Sequence, residues 1–244
     1  MKQSVFLPYG KITYGTFGKK ELLDPIQGNQ EFPKSAKDWL TYTREVFSET
    51  YSNPLYQIHS LGQVHGDHIE KFPSETNQIS VNQVKEGDGL FSLQKNQVLV
   101  VRTADCVPVF LYSTQRPFVS VLHSGWKGTQ LGITEKMIEK LIREGYSFEE
   151  LSLELGPYIQ RNHYEVGEDV AVLFAELGNE VCMPRGGGKF LLDVGLAITK
   201  RVEQRFGENI RIVNRHTDVF QSPLYFSHRT KEEGRNLNFI LWES

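Results

Sequence analysis

Two stretches of sequence decide the fold: QVLVVRTADCVPVFLY, residues 97–112, and FVSVLHSGWKG, residues 118–128. They contain three apolar runs of strand length, Gln97–Val101, Val107–Tyr112 and Phe118–Leu122. Because these runs are continuous rather than alternating, they predict strands in sheets that are covered on both faces. A short turn joins the last two strands. We therefore expect Cys106, which precedes the first of them, and His123, which follows the second, to lie at neighbouring strand ends.

Patterns elsewhere predict further strands and a few helices. Strands are predicted at Gln57–Leu61, Leu151–Leu155, Ile210–Val213 and Leu237–Trp242. Apolar residues with helical spacing predict four helices. Two of them begin after the capping residues Ser35 and Asp193, and the other two span residues 133–142 and 170–177. Gly145, Gly178 and Gly207 mark three of the helix ends. Strands and helices do not alternate regularly, so the sequence predicts an α+β fold with mixed sheets.

The composition is that of a globular chain. Of its 244 residues, 39% are hydrophobic and 23% are charged, and neither a repeat nor a linker divides the sequence. We therefore expect one domain over residues 1–244, of which residues 1–55 are the hardest to interpret. Cys106 and Cys182 could form one disulfide at most, and their settings favour two free thiols, which is typical of a reducing cytoplasm.

Charge and hydropathy argue against two classes of partner. The net charge of −3 provides no basic footprint for nucleic acid. No segment approaches the roughly 18 consecutive apolar residues of a membrane span. The N-terminal MKQSVFLP lacks the sustained apolar core of a secretory signal. We therefore expect a cytoplasmic protein that binds neither nucleic acid nor membrane, whereas the sequence predicts no particular oligomeric state.

Three short segments each hold one metal-binding residue beside glycine or proline. His65 lies in QVHGD, Cys106 in TADCVP and His123 in HSGWKG. Two imidazoles and one thiolate suit zinc and leave its fourth position open, as in catalytic sites. Such a site also accepts copper, but the ligand types favour zinc ahead of copper. We predict that His65, Cys106 and His123 form a catalytic zinc site.

The other histidines are weaker candidates for this site. His68 would need a helical segment to share a metal with His65, and Gly66 disfavours such a helix. His228 is a candidate for facing a bound ligand, since it lies close to the Gly234-Arg235 segment. A structural role is expected for the remaining three, His59, His163 and His216.

Three other interpretations of the site stay open. A structural zinc would need a fourth protein ligand, for which Cys182 or Asp105 would have to serve. A cysteine hydrolase would use Cys106 as nucleophile and His123 as base on an amide such as that of a cell-wall precursor. A zinc-stabilised binding protein would catalyse no reaction. A true laccase is disfavoured, because a multicopper assembly needs on the order of ten histidines, whereas the chain has 7 and no His-x-His pair.

Five ordered motifs make the chain similar to a known family. They are QVHG at 63–66, GDGL at 87–90, TADC-P at 103–108, H-GW-G at 123–128, and GPYI followed by YEVG between 156 and 167. The pair Leu192-Asp193 and the terminal segments Phe226–Arg229 and Gly234-Arg235 follow in the expected order. Together they resemble the laccase-domain family, once catalogued as polyphenol oxidases and now regarded as purine nucleoside phosphorylases.

The resemblance implies a fold, a metal site and an activity. The fold would consist of mixed β-sheets packed together and flanked by helices, and His65, Cys106 and His123 would be the zinc ligands. The activities would be phosphorolysis of adenosine, inosine and methylthioadenosine, with hydrolytic deamination of adenosine to inosine. The chain departs from the family pattern in its N-terminal region, at Tyr158 and at Thr230, which bears on substrate preference.

Phosphorolysis requires a purine nucleoside, phosphate, and cationic groups that hold the phosphate. Within the matched motifs, the cationic candidates are Lys127, Arg229 and Arg235. Arg102 is a further candidate outside these motifs. Each of the four also has an ordinary interpretation as a solvated surface charge.

Deamination needs a carboxylate that moves protons, and either reaction needs a surface for the purine. Asp105 and Glu165, two of the carboxylates within matched motifs, are the candidates, although Asp105 could instead orient a ligand histidine. Tyr164 or Trp126 could stack on the purine, and an ordinary role as core aromatics is equally open for both. We predict that the substrate is bound by five residues: Asp105, Lys127, Tyr164, Glu165 and Arg229.

Overall fold

Three β-sheets and six α-helices build the part of the chain described by the computed structural model, residues 2–23, 31–51, 53–73 and 84–243. The strands are β1 (Lys2–Leu7), β2 (Gly10–Phe17), β3 (Gln57–His59), β4 (Ile69–Phe72), β5 (Gly89–Ser92), β6 (Gln97–Thr103), β7 (Val107–Ser113), β8 (Val119–Ser124), β9 (Leu151–Leu155), β10 (Glu165–Gly167), β11 (Cys182–Gly186), β12 (Lys189–Leu192), β13 (Arg211–Asn214) and β14 (Asn236–Glu243). The α-helices are α1 (Lys19–Leu23), α2 (Ala36–Thr50), α3 (Trp126–Gln130), α4 (Ile133–Arg143), α5 (Glu168–Ala171) and α6 (Val194–Phe206). Short 3-10 helices span Phe148–Glu150, Arg161–His163 and Val172–Leu177. None of the described helices is both long and apolar enough to cross a membrane.

The two larger sheets pack face to face, and helices cover their outer faces. The first sheet has the strand order β1-β2-β14-β6-β3 and the second β13-β9-β7-β8-β5-β4, while β10-β12-β11 form a small third sheet. Tyr14 and Ile240 of the first sheet meet Phe110 and Val121 of the second. Helix α2 covers the first sheet, and α4 and α6 cover the second. This arrangement confirms the predicted α+β class, with mixed sheets packed together and flanked by helices.

The position of the central strands between two layers explains their continuous apolar sequence. In β6, Leu99 and Val101 point into the core between the two sheets. Val98 and Val100 of the same strand point the other way and pack in the cluster that includes helix α2. A strand that is buried on both faces has no solvated side for polar residues, so its sequence cannot alternate.

The seven strands predicted from the sequence are all present, with ends shifted by up to two residues. The helix caps are also present: Ser35 Oγ accepts a hydrogen bond from the backbone N–H of Asp38 at 3.1 Å, and Asp193 accepts one from that of Leu196 at 2.9 Å. Each satisfies a backbone donor that the first helical turn leaves without a partner. The assignment of residues 1–244 to one domain stays a prediction.

Seven described strands lie outside the sequence predictions: β1, β2, β4, β5, β10, β11 and β12. In β1, exposed and half-buried residues alternate, and Phe6 is 80% exposed, so no apolar run marks this strand. The helix predicted over residues 170–177 is a short α-helix that continues as a 3-10 helix. Leu173, which the helical spacing assigns to its apolar face, is exposed.

Segments from four strands converge at one edge of the two large sheets. The turn 104–106 connects β6 to β7, and the pairing of β7 with β8 sets Pro108 opposite His123. Strand β5 begins at Gly89, beside the same end of β8. The predicted proximity of the strand ends that carry Cys106 and His123 is therefore confirmed.

A buried carboxylate fastens the turn after β7 to the start of β9. Glu150 is 3% exposed and accepts hydrogen bonds from Arg116 Nη2 at 2.6 Å, Ser113 Oγ at 3.0 Å and the backbone N–H of Ser147 at 2.7 Å. The hydrogen bonds from Arg116, followed by those from Ser147 and Ser113, outweigh burial and hold the pKa of Glu150 below its ordinary value.

Glu150→Gln should lower the free energy of unfolding by about 1–3 kcal/mol at neutral pH, because it leaves buried donors without a charged acceptor. The folded pKa lies below the unfolded value of about 4.3. The contribution is therefore fully present above that value and is lost as the pH falls through the folded pKa. Urea unfolding at decreasing pH should show the difference from wild type shrinking below about pH 4. The exposed Glu208→Gln should match wild type throughout, and a pH-independent gap for Glu150→Gln would contradict the assignment.

Candidate metal centre

His65, Cys106 and His123 come together from three separate segments of the chain. His65 lies in the loop after β3, Cys106 in the turn before β7 and His123 near the end of β8. Their ligand atoms all lie within 4.8 Å of one another, and the two imidazole rings are nearly perpendicular, at 78°. Of the residues that the structure describes, this is the single group of three or more His, Cys, Asp or Glu side chains able to hold a metal ion.

A buried carboxylate, Asp88, organises two of these three residues. Its Oδ1 accepts a hydrogen bond from His123 Nδ1 at 2.7 Å. The same side chain accepts the backbone N–H groups of Val64, His65 and Gly66 at 3.2, 3.0 and 2.7 Å. Bonding at Nδ1 leaves Nε2 of His123 as the ring atom that can bind a metal.

The backbone around the trio is shaped for close approach. His65 has a φ of 58°, in the left-handed region that non-glycine residues seldom adopt, and the hydrogen bonds from its segment to Asp88 compensate for that conformation. A Cβ atom on Gly125 would lie 2.8 Å from Cys106 Sγ. Glycine at 125 is therefore required to leave room for the thiol.

The charges within the trio favour the metal-binding form of the cysteine. Burial raises the pKa of the Cys106 thiol, but the neighbouring His123 and His65 outweigh burial and lower it to about 6. Burial lowers the pKa of His123, whereas Cys106 and Asp88 raise it to about 9. The thiol is thus prone to ionise near neutral pH, and the thiolate is the form that binds metals and attacks electrophiles.

The donor set fits a late transition metal with an open coordination position. One thiolate and two imidazoles match the ligand types of zinc sites, and three protein ligands leave a fourth position for water or substrate. Neither residue considered as a fourth protein ligand takes that place. Cys182 lies in β11 and is buried in the core beside Leu192. Both oxygens of Asp105 have other partners.

Asp105 connects the turn that contains Cys106 to the C-terminal part of the chain. Its Oδ1 accepts a hydrogen bond from Ser227 Oγ at 2.6 Å, and its Oδ2 accepts the backbone N–H of Arg229 at 2.8 Å. Its φ of 91° is again in the left-handed region. Burial raises the pKa of Asp105 above its ordinary value, although the hydrogen bonds from Ser227 and Arg229 oppose this shift. These contacts support a positioning role for Asp105, which holds the 227–229 segment beside Cys106.

The trio lines a cavity of about 730 Å³. Four cationic side chains line the same cavity: Lys34, Arg102, Arg229 and Arg235. Three aromatic side chains also line it: Trp39, Trp126 and Tyr164. Aromatic rings can stack on a flat ring system, and cations can bind an anion, so the cavity has groups for both kinds of ligand.

The predicted substrate-binding residues divide into two groups. Asp105, Tyr164 and Arg229 line the cavity, and the Arg229 guanidinium lies 4.9 Å from the centre of the Tyr164 ring. Lys127 is exposed on α3 and does not line the cavity. Glu165 does not line it either, because its carboxylate pairs with Arg185 at 2.9 Å.

The positions of three other histidines, His59, His68 and His228, can be compared with the roles that the sequence predicts for them. His68 is exposed and pairs with Glu70 at 3.2 Å rather than joining the trio. His228 lines the cavity, as a ligand-facing residue would. His59 stacks on Phe72 at 4.4 Å between ring centroids, in a structural contact.

Sequence reasoning missed several residues that build the site. Asp88 is quoted in a motif but receives no role, and Gln63 and Trp39 receive none either. The Gln63 side chain bonds both the backbone N–H and the carbonyl of Arg102, each at 2.7 Å. A glycine on each side of Asp88 is the one local signal, since such flanks are typical of a backbone that approaches another segment closely.

Comparison with known proteins identifies relatives over most of the chain. The model of the family described as multi-copper polyphenol oxidoreductase laccase matches residues 37–243. A purine nucleoside phosphorylase of Clostridium acetobutylicum is 32% identical over 219 residues, which cover 88% of this chain and 84% of that protein. An adenosine deaminase of an unknown prokaryotic organism is 36% identical over 87 residues, 36% of this chain and 33% of that protein.

A solved structure supports the same fold. The hypothetical protein YfiH of Bacillus licheniformis superposes with a TM-score of 0.77, covering 95% of this chain and 93% of that one. Its sequence identity is 24%, so the likeness concerns the architecture of sheets and helices and carries no statement about activity.

Asp88→Asn should weaken metal binding about 10- to 100-fold, the usual cost of losing a partner that orients a metal ligand. The amide cannot serve both His123 Nδ1 and the backbone N–H groups of residues 64–66 as the carboxylate does. Competition for zinc with a chromophoric chelator measures the change.

Asp67→Asn is the matched control for this measurement. It lies in the same loop, but its carboxylate pairs with Lys136, so its metal affinity should equal that of wild type. Equal affinities for all three proteins would remove Asp88 from the metal centre.

Proposed function

Because the chain belongs to the family described as multi-copper polyphenol oxidoreductase laccase, we propose that it is a zinc-dependent purine nucleoside phosphorylase. Its substrates are adenosine, inosine and methylthioadenosine, and a side activity deaminates adenosine. The observation that carries the proposal is the convergence of His65, Cys106 and His123 in a cavity lined by arginines and aromatic rings. The names of the two relatives, a purine nucleoside phosphorylase and an adenosine deaminase, point the same way.

Phosphorolysis exchanges one bond at the anomeric carbon of the sugar. The bond from C1′ to the purine nitrogen breaks, a bond from C1′ to a phosphate oxygen forms, and the leaving purine takes up a proton. Positive charge develops on the sugar and negative charge on the base as the bonds exchange. The chain must therefore hold phosphate and nucleoside in line and stabilise the departing base.

Side chains of the cavity supply these functions in the proposed mechanism. Tyr164 and Trp126 offer ring faces for the purine. Arginine guanidinium groups hold the phosphate through paired charge-assisted hydrogen bonds. Asp105 keeps Arg229 in place through its backbone, and Asp88 keeps the His123 ring oriented. Lys127 and Glu165 receive no role, because neither lines the cavity.

We propose zinc rather than copper as the metal. A zinc ion held by His65, Cys106 and His123 would act as a Lewis acid and supply an activated water near neutral pH, which suits deamination at C6 of adenosine. A multicopper oxidase needs on the order of ten histidines. Within the described residues, a single candidate group of three ligands is found, which is too few for that chemistry.

The partners in this proposal are a purine nucleoside and phosphate in the cytoplasm, with no role for nucleic acid or membrane. The net charge of −3 supports the absence of a nucleic-acid footprint. The charge that matters is local, because cationic side chains gather in the cavity.

A cysteine hydrolase is the second candidate, and one contact favours it. His123 lies between Cys106 and Asp88, with its Nδ1 2.7 Å from Asp88 Oδ1, which is the order of nucleophile, base and orienting carboxylate in catalytic triads. In this reading Cys106 attacks an amide carbonyl and His123 protonates the leaving amine. The two candidates differ in what the thiolate contacts, a metal or the substrate.

Incubation of adenosine with the purified protein, with and without phosphate, tests the proposal. Chromatography should detect adenine that forms only when phosphate is present, together with inosine that forms without it. Removal of the metal with a chelator should abolish both products, and added zinc should restore them. The absence of any product from zinc-loaded protein would leave the hydrolase or a binding protein without turnover.

Cys106→Ala should lower zinc occupancy and remove turnover together while leaving the fold intact. The reason is that Cys106 supplies the single anionic ligand of the trio, and the small alanine replaces it without steric conflict. Zinc content by atomic emission, turnover and circular dichroism are the three measurements. Full zinc occupancy with lost activity would instead support Cys106 as a nucleophile. The matched control Cys182→Ala removes the other thiol, in β11, and should retain both zinc and activity.

A further inference from the structure

Within the described residues, six arginines elsewhere in the chain form ion pairs, whereas three arginines of the cavity do not; Arg44, Arg143 and Arg161, outside the cavity, also form none. Arg102, Arg229 and Arg235 form no salt bridge to any residue that the structure describes. By contrast, the partly buried Arg116 and Arg201 each bond a buried glutamate, at 2.6 Å in both cases. Arg102 and Arg235 are partly buried, whereas Arg229 is exposed. A partly buried cation without an anion loses hydration that neutral acceptors compensate only in part. The cavity is therefore short of negative charge.

Arg102 is positioned by hydrogen bonds, although no described residue forms an ion pair with it. The side-chain amide of Gln63 accepts a hydrogen bond from the backbone N–H of Arg102 and donates one to its carbonyl. Its guanidinium donates from Nη1 to Ser60 Oγ and from Nη2 to the Leu61 carbonyl, each at 3.2 Å, and lies 5.6 Å from the centre of the Trp39 ring. These two bonds use two of the five N–H donors of a guanidinium. No other described residue accepts from the remaining donors, so they are open to a ligand.

Arg235 is fixed in a similar way on the C-terminal segment. Its Nη1 donates to the carbonyls of Glu233 and Gly234, each at 2.9 Å. The next residue, Asn236, bonds both backbone groups of Phe226 at 2.9 Å. This pairing anchors the segment to the turn that Asp105 also holds. Neutral carbonyl acceptors orient the Arg235 guanidinium without neutralising it.

The two guanidinium groups line the same cavity, and their charges interact there. Burial, and then the charge of Arg235, lower the pKa of Arg102 to about 10, and Asp88 opposes this shift. Two like charges in one cavity repel, and a shared anion would relieve the repulsion. A small dianion with several oxygens suits such a pair, because each guanidinium can donate two parallel hydrogen bonds to it.

Arg229 belongs to another part of the cavity. Its guanidinium lies over the Tyr164 ring, and its Nη2 donates to the carbonyl of Glu165 at 2.6 Å. It therefore accompanies the ring that is proposed to bind the purine. Arg102 and Arg235 therefore remain as the two guanidinium groups that one bound anion could neutralise together.

We propose that Arg102 and Arg235 form the subsite that holds inorganic phosphate as the second substrate, with Gln63 as the residue that positions Arg102. The assignment rests on the proposed phosphorylase function. It goes further in separating an Arg102–Arg235 phosphate subsite from an Arg229–Tyr164 nucleoside subsite, so that the two substrates depend on different residues.

Steady-state kinetics with zinc-loaded protein test this division. Arg102→Gln and Arg235→Gln should each raise the KM for phosphate about 10- to 100-fold, the effect of losing charge-assisted hydrogen bonds. The KM for adenosine should change far less than the KM for phosphate, and the zinc content should match wild type. Arg102→Lys keeps the charge but not the paired donors, so its KM for phosphate should rise less than that of Arg102→Gln.

Arg205→Gln is the control, because Arg205 lies outside the cavity and pairs with Glu139; its KM for phosphate should match wild type. An unchanged KM for phosphate in both glutamine variants would overturn the subsite while leaving the phosphorylase intact. An equal rise in the KM values for phosphate and adenosine would also overturn it, as a general structural effect. Should circular dichroism indicate that Arg102→Gln is unfolded, Arg102→Lys and Arg235→Gln decide the question.

A wild-type protein without turnover would refute the proposed function, and calorimetric titration with inorganic phosphate would then decide the subsite alone. Phosphate binding to wild type that is lost in Arg235→Gln and retained in Arg205→Gln would support the subsite in a protein of different activity. No phosphate binding to zinc-loaded wild type, or equal binding to all variants, would overturn it.

Discussion

The carboxylate of Asp88 is the contact on which the site depends. It is fully buried, and a buried charge persists only when its hydrogen-bonding capacity is filled. Here the partners are His123 Nδ1 and three consecutive backbone N–H groups of the loop after β3. Burial raises the pKa of Asp88, but His123 and the N–H groups of Gly66 and Val64 hold it below its ordinary value. One side chain thus fixes the imidazole of His123 and the unusual backbone of His65.

The strands around this contact follow from the sequence because their burial leaves a readable pattern. Continuous apolar runs predict β6, β7 and β8, and the short connection between the last two predicts an antiparallel pair. The observed register of that pair sets Pro108 opposite His123, which brings His123 to the turn that holds Cys106. The location of two of the three ligands is therefore a property of local sequence. His65 joins them through the hydrogen bonds of its loop to Asp88 and Arg102, and this loop has no periodic pattern.

What the sequence does not predict are contacts between a side chain and a distant backbone. Asp88 bonds residues 64–66, Gln63 bonds Arg102, and Asp105 bonds Arg229, and none of these leaves a period or a spacing rule. The hairpin β1–β2 is missed for another reason, because β1 lies at a sheet edge with Phe6 exposed. Glycines beside His65 and Asp88 are signs of a close approach between backbone segments, but a glycine does not identify the segment that approaches it.

Overall charge is a poor guide to what the cavity binds. The chain has 30 acidic and 27 basic residues, yet the acidic side chains near the cavity are occupied. Asp88 bonds His123 and the backbone, and Asp105 bonds Ser227 and the backbone of Arg229. A zinc ion on one thiolate and two neutral imidazoles would keep a net positive charge and add to the field of the unpaired arginines. Among the described residues, the carboxylate that lines the cavity, Asp105, already has hydrogen-bond partners, so an entering anion meets mainly cations. Under the proposed function, the metal centre and the arginines therefore favour the same kind of second substrate, a small anion held beside the nucleoside.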